Sequence, residues 1–208
     1  MKIAVITDDA LKEEWMSQGM QKTIRIEWLS EPIAVEDAGC YIDLLFYPGA
    51  ERIDQLKKLQ PAIIFVNSVI ATLGSLPENF IRINGWPTFL KRTVVESSCS
   101  NDDLKAPAEK IFSQFNRTAE WVPDVAGFIT ARVISMIINE AYFALDEKVS
   151  SKNEIDTAMK LGTNYPYGPF EWSEKIGLQK VYELLTTLSN SSSRYEPAPV
   201  LIKEARFS

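Results

Sequence analysis

The stretch that decides the fold is "IDTAMKLGTNYPYGPFEW", residues 155–172, which joins two segments with helical spacing of apolar residues. The first segment, 151–162, is predicted as a helix that Gly162 ends, because glycine readily adopts the left-handed conformation of helix ends. Pro166 and Pro169 stiffen the connection, and Pro169 suits the first turn of the next helix. By themselves these residues indicate helix packing and not catalysis.

Helical patterns continue on both sides of this stretch. Residues 125–148 carry apolar side chains at helical spacing, and 169–190 hold one or two further helices. Ser151 or Asn153 is the predicted N-cap of the intervening helix. A turn-rich loop at 190–199 then leads into a short tail. Everything after Pro123 is therefore predicted to be helical.

The first half of the chain alternates between strand and helix patterns. Short apolar, β-branched runs predict strands at 2–7, 23–29, 41–48 and 62–68, with further candidates at 80–86, 93–98 and 118–124. Helices are predicted at 10–19, 52–61 and 101–116. This alternation predicts a mostly parallel sheet covered by helices. The chain thus divides into an α/β domain, 1–122, and an all-α domain, 123–208.

Composition excludes several classes of function. The 208 residues carry a net charge of -6, and the basic residues are scattered, so we expect no nucleic-acid partner. Cys40 and Cys99 are the only cysteines and there is no histidine, so we expect no metal site. The apolar stretch 125–145 is interrupted by polar residues, which argues against a membrane span. We expect a cytoplasmic protein whose N-terminal apolar run is a strand.

Four segments of the second half carry a family resemblance. They are "DVAGFITARV" with the following "NEA", "IDTAMKLGTNYPYGP", "IGLQKVYELL" and "RYEPAPVLIKEA". In this order they resemble the C-terminal domain of the 3-hydroxyacyl-CoA dehydrogenase family, which includes the 3-hydroxybutyryl-CoA dehydrogenases. The resemblance implies that 1–122 is a shortened Rossmann-like domain and that the helical domain, 123–208, forms a homodimer.

The nucleotide-binding pattern implied by the resemblance is missing. The family has a glycine-rich turn after the first strand, whereas this chain has Asp8 and Asp9 there and no glycine before Gly19. Two carboxylates oppose a pyrophosphate, and they are better explained as helix caps. Glu27 and Glu31 lie near the place of the ribose-binding acid, but each is better explained as a surface charge. We expect no cofactor, with NAD only if the protein is an active dehydrogenase.

The catalytic base implied by the resemblance is missing as well. Family members use a histidine base that a glutamate orients, and this chain has no histidine. Taking Pro87 as the motif proline puts Ile83 at the base position. Counting back from Glu96, the candidate for the orienting glutamate, puts Asn84 there instead. Neither residue takes up a proton near neutral pH.

The substrate-binding positions are only partly kept. Ala131 occupies the place of a family asparagine, and an alanine supplies no hydrogen bond. Of a polar turn after the fourth strand, Asn67 and Ser68 remain, followed by Val69 and Ile70. Asn67 and Ser68 are candidates for substrate binding. The alternative is a turn that satisfies its own backbone.

These losses predict a catalytically inactive family member that binds a thioester or another protein. Homodimerisation is expected because apolar residues surround the long helix too widely for one buried face; they are Ile134, Ile137, Ile138, Tyr142 and Phe143. One alternative is an active NAD-dependent 3-hydroxyacyl-CoA dehydrogenase of fatty-acid metabolism, with Glu96 or Tyr47 as its base. Another is an enzyme with different chemistry on the same scaffold.

Overall fold

A computed structural model describes residues 1–206, and its first part is built on a seven-stranded sheet. The strands are β1 (Lys2–Ile6), β2 (Arg25–Leu29), β3 (Ala38–Asp43), β4 (Ile63–Asn67), β5 (Phe80–Ile83), β6 (Val94–Ser98) and β7 (Thr118–Trp121). Their order is β2-β1-β3-β4-β5-β6-β7, and every neighbouring pair is parallel except β5 and β6. The predicted mostly parallel, Rossmann-like sheet is confirmed.

Alternating residues of the central strands face two different cores. In β1, Ile3 and Val5 belong to a core completed by α1 (Asp9–Met16) and α3 (Lys105–Gln114). Ala4 and Ile6 belong to the opposite core, where α2 (Ala50–Lys57) packs. Helices thus cover both faces, which explains why the central strands are continuous apolar runs.

Two predicted strands end earlier than their apolar patterns. The third strand was expected at 41–48 but spans Ala38–Asp43, and the fifth was expected at 80–86 but ends at Ile83. In both cases the continuing apolar side chains are buried in loops; Leu44, Phe46 and Trp86 are examples. Burial alone therefore does not distinguish a strand end from a buried loop.

The chain separates into two compact units between Phe128 and Ile129. The predicted boundary lay after residue 122. The intervening residues join the first unit because Asp124 forms an ion pair with Arg82 and the Gly127 amide donates to the Val69 carbonyl at 2.8 Å. The predicted second domain extends to 208, of which the last two residues lie outside the described part.

The described part of the second unit consists of helices. They are α4 (Thr130–Asp146), α5 (Lys152–Thr163), α6 (Pro169–Ile176), α7 (Leu178–Ser189) and α8 (Pro199–Ala205). Pro169 opens α6 as predicted. Gly177 separates α6 from α7 with φ 96°, a conformation that favours glycine. The short tail that the sequence predicts after the turn-rich loop forms α8.

The predicted end of α5 is wrong by two residues. Gly162 lies inside the helix, which continues to Thr163 and ends at Asn164 with φ 56°. Asparagine also tolerates the left-handed conformation, so it replaces glycine as the helix end. At the other end, Ser151 is the N-cap in a reciprocal pair with Glu154, which decides between the two predicted caps.

Two residues of the stretch 155–172 explain how α5 is joined to α6. Asp156 of α5 accepts hydrogen bonds from the amides of Phe170 (2.8 Å) and Glu171 (3.1 Å), so it caps α6 from another helix. A Cβ at Gly168 would lie 2.3 Å from Asp156 atoms, so only glycine fits there. These residues are therefore needed to join α5 to α6.

Candidate functional site

The carboxyl ends of β1, β3, β4 and β5 lie along one edge of the sheet. After β1 the chain proceeds to β2 on one side, and after β3 it proceeds to β4 on the other. The boundary between β1 and β3 is therefore a topological switch point, where open α/β sheets usually bind ligands. Most of the predicted site residues of the first unit follow these strands.

The turn after β1 is occupied by a helix cap. The Asp8 carboxylate accepts a hydrogen bond from the Leu11 amide at 2.8 Å, and both Asp8 and Asp9 are exposed. The predicted cap is confirmed. The Asp8 carboxylate therefore takes one of the amides that a phosphate would use at a helix start.

The two acidic residues near the predicted ribose position have ion-pair partners. Glu27 lies 3.8 Å from the Lys2 ammonium in an exposed pair. Glu31 accepts from Arg52 Nη1 at 2.7 Å, although Glu31 itself is largely exposed. Arg52 also donates from Nε and Nη2 to Asp43, at 2.8 and 2.9 Å. Glu31 is therefore part of an internal charge network.

The Asp43–Arg52 pair was not anticipated from the sequence. Both side chains are buried, and burial raises the pKa of Asp43 while the Arg52 hydrogen bonds oppose that rise. A signal was present, because an aspartate at a strand end precedes an arginine in the first turn of the next helix. Buried ionic groups of this kind need partners to offset their desolvation.

Asn84 and Glu96 are brought together. Asn84 Nδ2 donates to Glu96 Oε2 at 2.7 Å, and the Asn84 amide donates to the Glu96 carbonyl at 2.9 Å. Ile83 pairs with Ser97 across β5 and β6, so Asn84 and not Ile83 lies opposite Glu96. A carboxamide can hydrogen-bond to this carboxylate but does not act as a base near pH 7.

Asn67 connects three segments of the first unit. Its Nδ2 donates to the carbonyls of Leu44 (3.0 Å) and Gly85 (2.9 Å), and its Oδ1 accepts from the Gly85 amide at 2.9 Å. Ser68 Oγ donates to the Ala71 carbonyl at 2.8 Å. The Ser68 contact fits a turn that satisfies its own backbone, whereas Asn67 joins two other loops. Substrate binding by Asn67 and Ser68 stays a prediction.

Ala131, the remaining predicted position, is fully buried in α4 of the second unit. Its methyl group packs in the interior and offers no polar contact. The sequence also gave no indication of Arg82, which is fully buried in the first unit. Arg82 Nε donates to the Ser68 carbonyl at 2.9 Å and its guanidinium lies over the Phe128 ring. This arginine fixes the segment that precedes α4.

Comparison with known proteins identifies the second unit. The family model described as "3-hydroxyacyl-CoA dehydrogenase, C-terminal domain" matches residues 127–207. Residues 127–207 therefore carry the C-terminal domain of the 3-hydroxyacyl-CoA dehydrogenase family. The resemblance inferred from the four motifs is thereby confirmed.

Curated relatives match this chain over part of their length. It is 36% identical to the 3-hydroxyadipyl-CoA dehydrogenase of Escherichia coli over 115 residues, which are 54% of this chain and 24% of that protein. It is 32% identical to the 3-hydroxybutyryl-CoA dehydrogenase of Bradyrhizobium diazoefficiens over 139 residues, 64% of this chain and 47% of that protein. The chain thus spans half or less of the length of these relatives.

Solved structures support the same fold. The (S)-3-hydroxybutyryl-CoA dehydrogenase of Ralstonia eutropha matches with a TM-score of 0.74, covering 97% of this chain and 92% of that one at 18% identity. The 3-hydroxybutyryl-CoA dehydrogenase of E. coli matches at 30% identity and a TM-score of 0.61, covering 69% of this chain and 31% of that one. The first of these likenesses concerns the fold alone.

The expectation of no cofactor is corrected by these comparisons. The relatives are named as dehydrogenases, and dehydrogenases transfer hydride to a cofactor such as NAD, so the similarity of this chain to them conflicts with a cofactor-free protein. The turn after β1 nevertheless lacks the family's glycines, and Asp8 already caps α1. These residues do not fit a pyrophosphate in the family manner.

Residues 1–206 contain neither a metal-ligand cluster nor a membrane-spanning helix. No group of three or more potential ligand side chains there is placed to hold a metal ion. Cys40 is buried and Cys99 partly exposed, both as free thiols, and burial raises the pKa of each. No helix in this part of the chain is long and apolar enough to cross a membrane.

Proposed function

We propose that this family member has lost the dehydrogenase base and acts as a binding module for an acyl-CoA thioester. The main observation in support is the hydrogen bond of 2.7 Å between Asn84 and Glu96. It places a carboxamide next to the glutamate that, by family resemblance, orients the catalytic base. The relatives are named as dehydrogenases of hydroxyacyl-CoA thioesters. A thioester is therefore the class of ligand that a retained binding surface would accept.

The absence of histidine gives this proposal its chemical basis. Oxidation of a hydroxyl group needs a base with a pKa near the operating pH, and an Asn side chain has no such pKa. Glu96 already accepts the Asn84 hydrogen bond, and Tyr47 is an exposed residue whose ring lies 5.9 Å from the Arg52 guanidinium. Turnover by the wild-type chain would favour one of these two as the base.

Restoring the histidine tests the loss of activity. We expect wild-type protein to leave NADH unoxidised in the presence of acetoacetyl-CoA. Asn84→His places an imidazole beside Glu96, and Asn84→Gln is the matched control without a base. Measurable NADH oxidation by the wild-type chain would contradict the proposal, whatever the variants do.

Binding is tested separately by calorimetric titration with acetoacetyl-CoA. We expect saturable binding that Glu96→Ala changes little, because a binding module does not depend on an orienting glutamate. A titration with NADH alongside it reports whether the dinucleotide is bound as well. If acetoacetyl-CoA gives no heat of binding, the thioester proposal fails and a protein partner becomes the better hypothesis.

We further propose that the module is a homodimer through α4. Ile129 and Val133 are about half exposed, and their side of the helix carries further apolar residues and one acid; these are Met136, Ile137, Phe143, Ala144 and Glu140. Solvent-facing helix surfaces are normally polar, so this face fits a second copy of the chain. Of the interface residues predicted from sequence, Ile134, Ile138 and Tyr142 are instead buried in the chain itself.

A further inference from the structure

The loop after β5 begins with a pair of residues that is chemically labile. Asn84 is followed by Gly85, and no other asparagine of the 208 residues precedes a glycine. An asparagine loses its amide when the backbone nitrogen of the next residue attacks its side-chain carbonyl carbon. Glycine hinders this attack least, because it has no side chain and few backbone restrictions. In an unfolded chain, Asn84 is therefore the asparagine most prone to deamidation.

The reaction needs only water besides these two residues. The Gly85 nitrogen forms a bond to Asn84 Cγ, the bond from Cγ to Nδ2 breaks, and the proton of the Gly85 nitrogen leaves with Nδ2 as ammonia. Water then opens the resulting succinimide ring at either of its carbonyl carbons. One opening gives aspartate, and the other gives isoaspartate, whose main chain runs through the former side chain. The Gly85 nitrogen and Asn84 Cγ must therefore come into contact.

Both backbone groups of Gly85 are bound by the side chain of Asn67. The Gly85 amide donates to Asn67 Oδ1 at 2.9 Å, and the Gly85 carbonyl accepts from Asn67 Nδ2 at 2.9 Å. Asn67 Nδ2 also donates to the Leu44 carbonyl at 3.0 Å, which joins this contact to the loop after β3. A Cβ at position 85 would lie 2.7 Å from Asn67 Cγ, so the two residues are closely packed. The attacking nitrogen is therefore engaged in the folded chain.

The side chain that would be attacked is held as well. Asn84 Nδ2 donates to Glu96 Oε2 at 2.7 Å, and the Asn84 amide donates to the Glu96 carbonyl at 2.9 Å. Asn84 and Gly85 are both buried. Ring closure therefore requires a local opening of the loop that breaks the hydrogen bonds to Asn67 and Glu96. Each of these bonds adds to the free energy of that opening.

We propose that Asn84–Gly85 is a deamidation site that the hydrogen bonds of Asn67 protect in the folded protein. The aspartate product places a second carboxylate beside Glu96, where like charges at hydrogen-bond distance repel each other. The isoaspartate product lengthens the main chain by a methylene group and displaces the amide that bonds to Glu96. The native contacts of the loop are not restored in either product. The proposal does not depend on thioester binding.

Peptide mapping by mass spectrometry follows the reaction at Asn84 directly. The full chain is incubated at mildly alkaline pH, either folded in buffer or unfolded in denaturant, and the conversion of amide to acid at each asparagine is measured over time. Asn67→Ala removes the contact with Gly85. Ser68→Ala removes a different hydrogen bond of the same turn and is the matched control. Hydrogen exchange of the Gly85 amide reports the opening of the loop, and circular dichroism establishes that each variant is folded.

We expect Asn84 to deamidate faster than every other asparagine in the unfolded chain, and at least tenfold more slowly in the folded wild type. Asn67→Ala should raise both deamidation and amide exchange at least tenfold over folded wild type, with Ser68→Ala within twofold. Equal rates at Asn84 in folded and unfolded wild type overturn the proposal, and this comparison does not require any variant to fold. A folded Asn67→Ala variant that reacts no faster than Ser68→Ala overturns the role of Asn67. An unfolded chain in which Asn84 stays intact overturns the labile site.

Discussion

At the scale of single residues, Asn139 shows how one polar side chain joins two distant motifs. It belongs to the "NEA" segment of α4, and it bonds to backbone groups of Glu196 and Ala198 in the "RYEPAP" tail. The side chain is nearly fully buried. One buried side chain therefore holds these two motifs of the second unit together.

Asn139→Ala removes the side-chain partner of the Glu196 carbonyl and of the buried Ala198 amide. We expect a loss of about 1–3 kcal/mol in the free energy of unfolding, the usual cost of orphaned buried groups. Chemical denaturation of the full chain measures it. Asn153→Ala, at an exposed position of α5, is the control and should change stability little. Equal effects of the two substitutions would show that the hydrogen bonds of Asn139 to Glu196 and Ala198 do not stabilise the fold.

At the scale of secondary-structure elements, the α5–α6 connection depends on close approach and not on backbone freedom. Gly168 has an ordinary extended conformation that any residue can adopt. Asp156 lies so close to it, however, that a side chain at position 168 would clash. Gly162 is surrounded by open space inside α5. Position 168 therefore requires glycine, whereas position 162 has room for a side chain.

Alanine substitutions separate these two glycines. Gly168→Ala should destabilise the protein by about 1–3 kcal/mol, because its Cβ displaces the Asp156 cap. Gly162→Ala should stabilise it by up to about 1 kcal/mol, since alanine is the better helix former. Thermal unfolding of both variants beside wild type measures the difference. Destabilisation by Gly162→Ala would show that this glycine has a role that the helix does not explain.

The N-terminal cap of α5 predicts a pH dependence. Hydrogen bonds from the Ser151 and Ser150 hydroxyls and the Ser151 amide lower the pKa of Glu154 from 4.5 to about 2. Because the folded pKa lies below the unfolded one, the stabilisation is complete above pH 4.5 and is lost as the pH falls towards 2.

Glu154→Gln tests this window. We expect the variant to melt below wild type at pH 7, with the difference in melting temperature shrinking as the pH is lowered from 4.5 to 2. A difference that stays constant over that range would show that the carboxylate charge is unimportant for the cap. Glu183→Gln, on the exposed surface of α7, is a suitable control for general charge effects.

At the scale of the whole molecule, the proposed α4 interface predicts a change in assembly. Val133→Asp places a charge in the centre of the apolar face, so we expect a shift from dimer to monomer in sedimentation velocity experiments. Leu161→Asp, at a highly exposed position of α5, should leave the dimer intact. A wild-type chain that sediments as a monomer at all concentrations would contradict the interface.

Much of this molecule follows from local sequence patterns. Apolar runs and helical spacing are short-range signals, so the parallel sheet, most helices and the family motifs were predicted correctly. The missing histidine and glycine-rich turn were likewise evident without coordinates, because composition and order suffice to establish them.

Other features depend on residues that are distant in sequence. The choice of Asn84 over Ile83 required the pairing of β5 with β6, which places Asn84 beside Glu96. The Asp43–Arg52–Glu31 network, the Asp156 cap and the Asn139 anchor likewise join separate segments. Hydrogen bonds between side chains and distant backbone have no periodicity in the sequence, so only the tertiary structure could establish them.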